Sequence, residues 1–204
     1  MQAIVSLHSN DPPNPWQGYK RALQCALDLS PRPSHALVLQ DDVVLCRNLP
    51  RAVRAITQRK PADPVVLFTS YVPMGLAHRM RVAMKWGQRY VRLTGGDKLC
   101  PVVAVLWPTA VIEDFLSWAD TAKLPGWTVP GGARSDDAVV GEWVRRTQRD
   151  VWVTAPSLVE HPDEVDSIWK GPQAGGGGRT ALFWIGPKDD PLALDWENGL
   201  DNVR

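Results

Sequence analysis

Short apolar runs of strand length alternate along this chain with stretches of helical spacing, and that alternation limits the fold more than any other feature. Ala3–Leu7, Ala36–Gln40, Val65–Thr69, Val102–Leu106 and Val151–Thr154 each read as buried strands. Between them, Trp16–Leu29 places Tyr19, Ala22, Leu23, Ala26 and Leu27 on one helical face and stops before Pro31. Pro50–Gln58 turns Ala52, Val53 and Ile56 inward and its arginines outward. Thr109–Ala119 is a further helix, and Ser135 can cap another that runs towards Gln148. The region 75–90 reads either as a helix or as an irregular insertion. Strands alternating with helices predict an α/β fold with a mostly parallel central sheet flanked by helices. At 204 residues the chain is expected to form a single domain spanning 1–204.

Several classes are disfavoured. No apolar run approaches the roughly 20 residues needed to span a bilayer. The opening MQAIVSL has neither a basic start nor a long apolar stretch, so no signal peptide and a cytoplasmic location are expected. Cys25, Cys46 and Cys100 are scattered and form no CxxC pair, which suits buried thiols in a reducing compartment and argues against a structural zinc site. The ten tryptophans fit either core packing or a binding cleft. The net charge of +1 hides an asymmetry: Val43–Gly96 holds ten Lys/Arg against the single acid Asp63, whereas His161 to the C-terminus holds eight acids against four bases. A one-sided basic region fits either an anionic partner or a solvated face.

Four segments can carry chemistry. In LVLQDDVVL, residues 37–45, a buried strand ends abruptly at Asp41 and Asp42. Two carboxylates there are unfavourable unless a cation satisfies them, and Mg²⁺ or Mn²⁺ does so through oxygen ligands. The alternative is that one aspartate caps a turn and the other is solvated. The second segment, SDDAVVGEW, opens with Asp136 and Asp137 where a helix begins; the macrodipole alone can account for them. It follows a Gly/Pro-rich loop containing Trp127 that can shape an acceptor pocket. The third, PSLVEH, places His161 just beyond the last strand, on the side of Asp42 if the sheet is parallel. The fourth, KGPQAGGGGR, sets Lys170 and Arg179 around four glycines. It reads as a surface loop or as a lid whose cations meet a phosphate; the P-loop pattern is absent.

In their order, these four segments resemble glycosyltransferases of the GT-A fold, a Rossmann-like architecture, and small bacteriophage members in particular. LVLQDDV looks like the DxD-type metal motif, SDDAVVGEW like the later acidic motif at a helix start, and PSLVEH like the segment with a C-terminal metal-binding histidine. The resemblance spans roughly residues 36–185. It implies a hexosyltransferase-type enzyme that moves a sugar from a nucleotide sugar, a UDP-sugar first among them, to an acceptor hydroxyl. It further implies that Asp42 and His161 bind Mn²⁺ or Mg²⁺, with Asp41 assisting through water or the ribose. Asp137 would be the base of an inverting reaction, with Asp136 supporting it. Ser6, Leu7, His8, Gln40 and Asp41 would meet the donor, and Lys170 and Arg179 would close over its diphosphate. Residues 1–100 would then form the nucleotide-sugar and metal half, 101–185 the acceptor and catalytic half, and 186–204 a tail. Gln40 departs from the pattern, because many DxD motifs have an acid there.

The segment AHRMRVAMKWGQRYVR, residues 77–92, suggests the acceptor. Arg79, Arg81, Lys85, Arg89 and Arg92 can hold phosphates while Trp86 and Tyr90 stack on bases, with Trp127 contributing from its loop. The leading expectation is a hydroxymethylated pyrimidine in double-stranded phage DNA, reached by base flipping. A glycan, lipid or protein acceptor is the nearest alternative. Two other classes compete: a metal-dependent nuclease or phosphoesterase using Asp41, Asp42, Asp137 and His161, and a non-catalytic DNA-binding protein.

Overall fold

The structure is a computed structural model that describes residues 14–70, 74–93, 102–122, 135–162 and 180–196. The expected strand Ala3–Leu7 lies outside the described residues.

Helix α1 (Pro15–Asp28) starts at Asn14, whose side chain accepts the Gln17 N–H at 3.1 Å, with Pro15 where a missing N–H costs nothing. Strand β1 (His35–Leu39) leads to the paired aspartates, and β2 (Val44–Leu45) follows them. Helix α2 (Leu49–Arg59) buries Leu49, Ala52, Val53 and Ile56, as its spacing predicts. Then come β3 (Val65–Val66), α3 (Met74–Lys85), β4 (Tyr90–Arg92), β5 (Ala104–Pro108) and α4 (Thr109–Thr121). Helix α5 (Asp136–Thr147), β6 (Trp152–Thr154), β7 (Val159–Glu160) and a 3₁₀ turn at Pro191–Ala193 complete the described elements. Region 75–90 is thus mostly helix, and it runs into β4.

The fold is mixed α/β, but the sheet differs from the expected mostly parallel one. Its order is β1-β5-β3-β6-β4, with β2 and β7 forming a separate two-stranded ribbon. Within the five strands, β3–β6 pair in parallel, while β1–β5, β3–β5 and β4–β6 are antiparallel. The strand–helix alternation still has a physical trace: β1, β3 and β6 run the same way. Strand β5 inserts between β1 and β3 in the opposite sense, and β4 closes the far edge in that same opposite sense.

The pleat sorts the core into two layers. Val105, Val66, Val153 and Val91 lie in register across four strands and face the side covered by α1, α3, α4 and α5. Leu106, Val65 and Trp152 face the other side, with α2, Tyr90 and Trp196. Most of the described tryptophans are core residues. Trp107 stacks on Phe115 at 4.9 Å between centroids, and Trp143 meets both rings at 5.4 and 5.2 Å. Trp143→Ala is expected to lower stability by roughly 3–5 kcal/mol, as read by urea unfolding, because its fully buried ring joins α5 to β5 and α4. Among the described residues no helix is long and apolar enough to cross a membrane.

Candidate active site

Because β1, β3 and β6 run one way and β4 and β5 the other, a single sheet edge collects the ends of the first three and the starts of the last two. Gln40, Asp41 and Asp42 lie there, after β1. Val102 and Val103 lie there, before β5, and Arg89 before β4.

The β2–β7 ribbon carries His161 to Asp42. Val44 pairs with Glu160 and Leu45 with Val159, and Cys46 N–H donates to Leu158 O at 3.2 Å. Two residues 119 positions apart thereby meet: His161 Nε2 lies 2.8 Å from Asp42 Oδ2. His161 is fully buried, and Asp42 is largely so. If Nε2 carries the proton it donates to the carboxylate, leaving Nδ1 a bare acceptor. Asp42 Oδ1 and His161 Nδ1 are both buried with no hydrogen-bond partner among the described residues. Leaving such atoms unsatisfied is costly, so the pair suits an additional ligand. The carboxylate oxygen suits Mn²⁺ or Mg²⁺; the His161 nitrogen that faces it is Nε2, 2.8 Å from Oδ2, so an ion shared by both residues would take the place of that contact. No cluster of three or more such ligating side chains occurs among the described residues, so substrate oxygens or water would have to complete a metal's shell. Asp41 is exposed, which fits an assisting role better than a direct one.

Glu160, which the sequence reading passed over, organises this corner. Its Oε1 accepts the N–H groups of His161 at 2.8 Å and Ala181 at 2.6 Å. The chain 181–185 is held further by Ser157, whose hydroxyl donates to Leu182 O at 2.9 Å, and by Leu182 N–H to Thr69 O at 2.6 Å. Phe183, at φ 53°, belongs to this strap.

The acid pair sits at the head of α5. Ser135 occupies the N-cap position but makes no capping side-chain hydrogen bond. Asp136 Oδ1 accepts the Asp137 N–H at 3.0 Å instead, and Asp137 Oδ1 accepts the N–H of Val102. Asp137 therefore does more than answer the helix dipole, because it ties α5 to the start of β5. Burial, followed by the charge of Asp137, raises Asp136 to about 7; the backbone N–H groups of the helix start pull the other way. Tyr19 of α1 lies close enough to sense both acids, and its hydroxyl accepts the Trp107 indole N–H at 2.8 Å. Gln40, expected to meet the donor, follows β1 and donates its backbone N–H to Val103 O at 3.0 Å.

The raised Asp136 has a consequence for stability. The unfolded carboxyl titrates near ~3.9, so between about pH 4 and 7 the folded chain holds the extra proton. Stability should fall as pH rises through that window and level off above it. Asp136→Asn should remove the slope. The variant should exceed the parent at pH 8 by on the order of 3 kcal/mol and converge with it near pH 4, as read by thermal melts across pH.

The basic segment divides. Arg79 Nη1 donates to Arg92 O at 2.8 Å, Arg92 pairs with Asp150, and Arg89 Nη1 donates to Gln88 O at 3.1 Å. These cations have local structural duties. Arg81 lies over the Phe183 ring at 5.7 Å, Lys85 lies 5.8 Å from the Trp86 ring, and Trp86 is 68% exposed. The exposed acceptor candidates thus reduce to Arg81, Lys85 and Trp86. Arg89 remains at the sheet edge, its Nε buried without a partner among the described residues. Ser6, Leu7, His8, Trp127, Lys170 and Arg179 lie outside the described residues.

Comparison with known proteins gave no match: no family model, curated protein or solved structure resembles the chain closely enough to count as one.

Proposed function

We propose that this chain is a metal-dependent glycosyltransferase of GT-A type that transfers a sugar from a nucleotide sugar, a UDP-sugar first, to an acceptor hydroxyl. The observation that supports this most is the meeting of Asp42 with His161 at the sheet edge that also receives Asp136 and Asp137. Asp42 and His161 would hold the divalent cation, and that cation would neutralise the leaving diphosphate. Asp41, exposed beside them, would assist through water or the ribose. In an inverting transfer Asp137 takes the proton of the acceptor hydroxyl. The acceptor oxygen then bonds to the anomeric carbon as the bond to the diphosphate breaks. The Val102 N–H fixes the Asp137 carboxylate for this task, and Asp137 is more accessible than Asp136. A nuclease could use the same acids. Incubation with Mn²⁺ separates the two: the transferase releases nucleotide diphosphate from a sugar donor, whereas a nuclease degrades DNA without one.

The acceptor reading is a hydroxymethylated pyrimidine in duplex DNA. Its support is the exposed set Arg81, Lys85 and Trp86, with Arg81 against the strap that Glu160 anchors. Replacing Arg81 and Lys85 with alanine should weaken duplex binding and reduce its salt slope by about one per lost phosphate contact. Unchanged binding and slope would remove the DNA acceptor and leave the transferase reading standing.

A further inference from the structure

The ribbon that brings His161 to Asp42 is too short to hold it firmly by itself. Strands β2 and β7 pair over two residues each, Val44 with Glu160 and Leu45 with Val159, and two-stranded ribbons are marginal on their own. His161 directly follows β7, and the Glu160 carboxylate accepts its N–H through Oε1 at 2.8 Å. The same oxygen accepts the Ala181 N–H at 2.6 Å, from 21 positions further along the chain. The strap beyond Ala181 is anchored separately. Leu182 N–H donates to Thr69 O at 2.6 Å, and Ser157 gives its hydroxyl to Leu182 O at 2.9 Å and its N–H to Phe183 O at 3.2 Å. Ile185 N–H donates to Ser157 O at 3.1 Å. These bonds tie the strap to the chain just beyond β3 and β6 without Glu160, and they flank Phe183 at φ 53°.

We propose that Glu160 is a positioning residue: one of its carboxylate oxygens fastens the backbone of His161 to the strap and so seats the imidazole against Asp42. What the seated imidazole then does rests on the function proposed above; the clamp itself does not. The chemistry explains the residue type. A single oxygen with two lone pairs can accept two N–H groups at once, and a carboxylate accepts them more strongly than a neutral group. An alanine at 160 would leave the N–H groups of His161 and Ala181 without their acceptor. A glutamine keeps an acceptor oxygen at the same reach and loses only the charge. His161 Nε2, 2.8 Å from Asp42 Oδ2, lies one residue from the clamped N–H, so movement of that backbone is felt at the contact.

The test measures amide hydrogen exchange at His161 and Ala181, and the ring ¹⁵N signals of His161 at one fixed pH, in the parent chain, Glu160→Ala, Glu160→Gln and Ala181→Pro. Glu160→Ala should speed exchange at both amides by about tenfold and move the ring signals, whereas Glu160→Gln should stay near the parent in both. Ala181→Pro removes the strap's N–H and leaves Glu160 and His161 in place, and it too should move the His161 ring signals. Ring signals unmoved in either Glu160→Ala or Ala181→Pro would overturn the proposal. So would a Glu160→Gln that behaves like Glu160→Ala, which would make charge rather than the acceptor oxygen the cause. In assays of nucleotide diphosphate release, Glu160→Ala should raise the Mn²⁺ concentration for half-maximal rate by about tenfold, a shift that lost stability alone would not produce. The exchange and ring measurements need no activity, so their expected result in a chain that releases no nucleotide would support the clamp while removing the function proposed above.

Discussion

Asp42→Ala should abolish the metal-dependent release of nucleotide diphosphate from a sugar donor, with a loss of at least about 10³-fold. One cation stabilising a leaving diphosphate contributes several kcal/mol, and each 1.36 kcal/mol is about tenfold in rate. Asp42 and His161 are the two candidate ligands brought together, so removing one leaves a fully buried imidazole as the remaining holder. The expected signature is a specific loss: the folded chain persists, and raising Mn²⁺ recovers little activity. Asp41→Ala, at an exposed neighbour, should cost far less. Equal losses at both positions would argue against the assigned division between ligand and assistant.

Asp137→Asn should lower sugar transfer by about 10²–10⁴-fold, the usual worth of a positioned general base. Asparagine keeps the size and an oxygen that can accept the Val102 N–H, so the brace to β5 survives while the basic group is lost. Donor KM should change little, and the alkaline plateau of the pH–rate profile should not recover the activity. Asp136→Asn should have a different signature. Its effect should appear mainly in the pH dependence of stability, because its carboxyl is the one that burial pushes up to about 7. The two acids are neighbours in sequence, but their environments separate their roles.

The helices were readable from spacing because each buries one face: Leu23, Ile56 and Phe115 all became fully buried. Strand order and direction were not readable. Nothing local in Ala104–Pro108 says that it inserts between β1 and β3, and the three residues Tyr90–Arg92 are too short to show a period. The two-residue strands β2 and β7 are shorter still, yet they deliver His161 to Asp42. The sequence named both residues of that pair from a shared strand direction, which β1 and β6 have; the antiparallel ribbon that makes the contact itself was not readable. Glu160 was hidden because its work is to accept backbone N–H groups, which leaves no residue-type pattern. In the basic segment, composition counted charges but could not separate Arg79 and Arg92, which serve the fold, from Arg81 and Lys85, which lie with Trp86 at the surface.

The most direct test of the central claim is a thermal-shift screen of the intact chain and Asp42→Ala against nucleotide sugars, with and without Mn²⁺. Ligand at about 100 times its Kd adds about 2.7 kcal/mol, which corresponds to a rise of roughly 5–10 °C in Tm for a chain of this size. The account predicts that rise for at least one nucleotide sugar, only when Mn²⁺ is present, and its loss in Asp42→Ala. No shift with any nucleotide sugar, or an equal shift in Asp42→Ala, would contradict it.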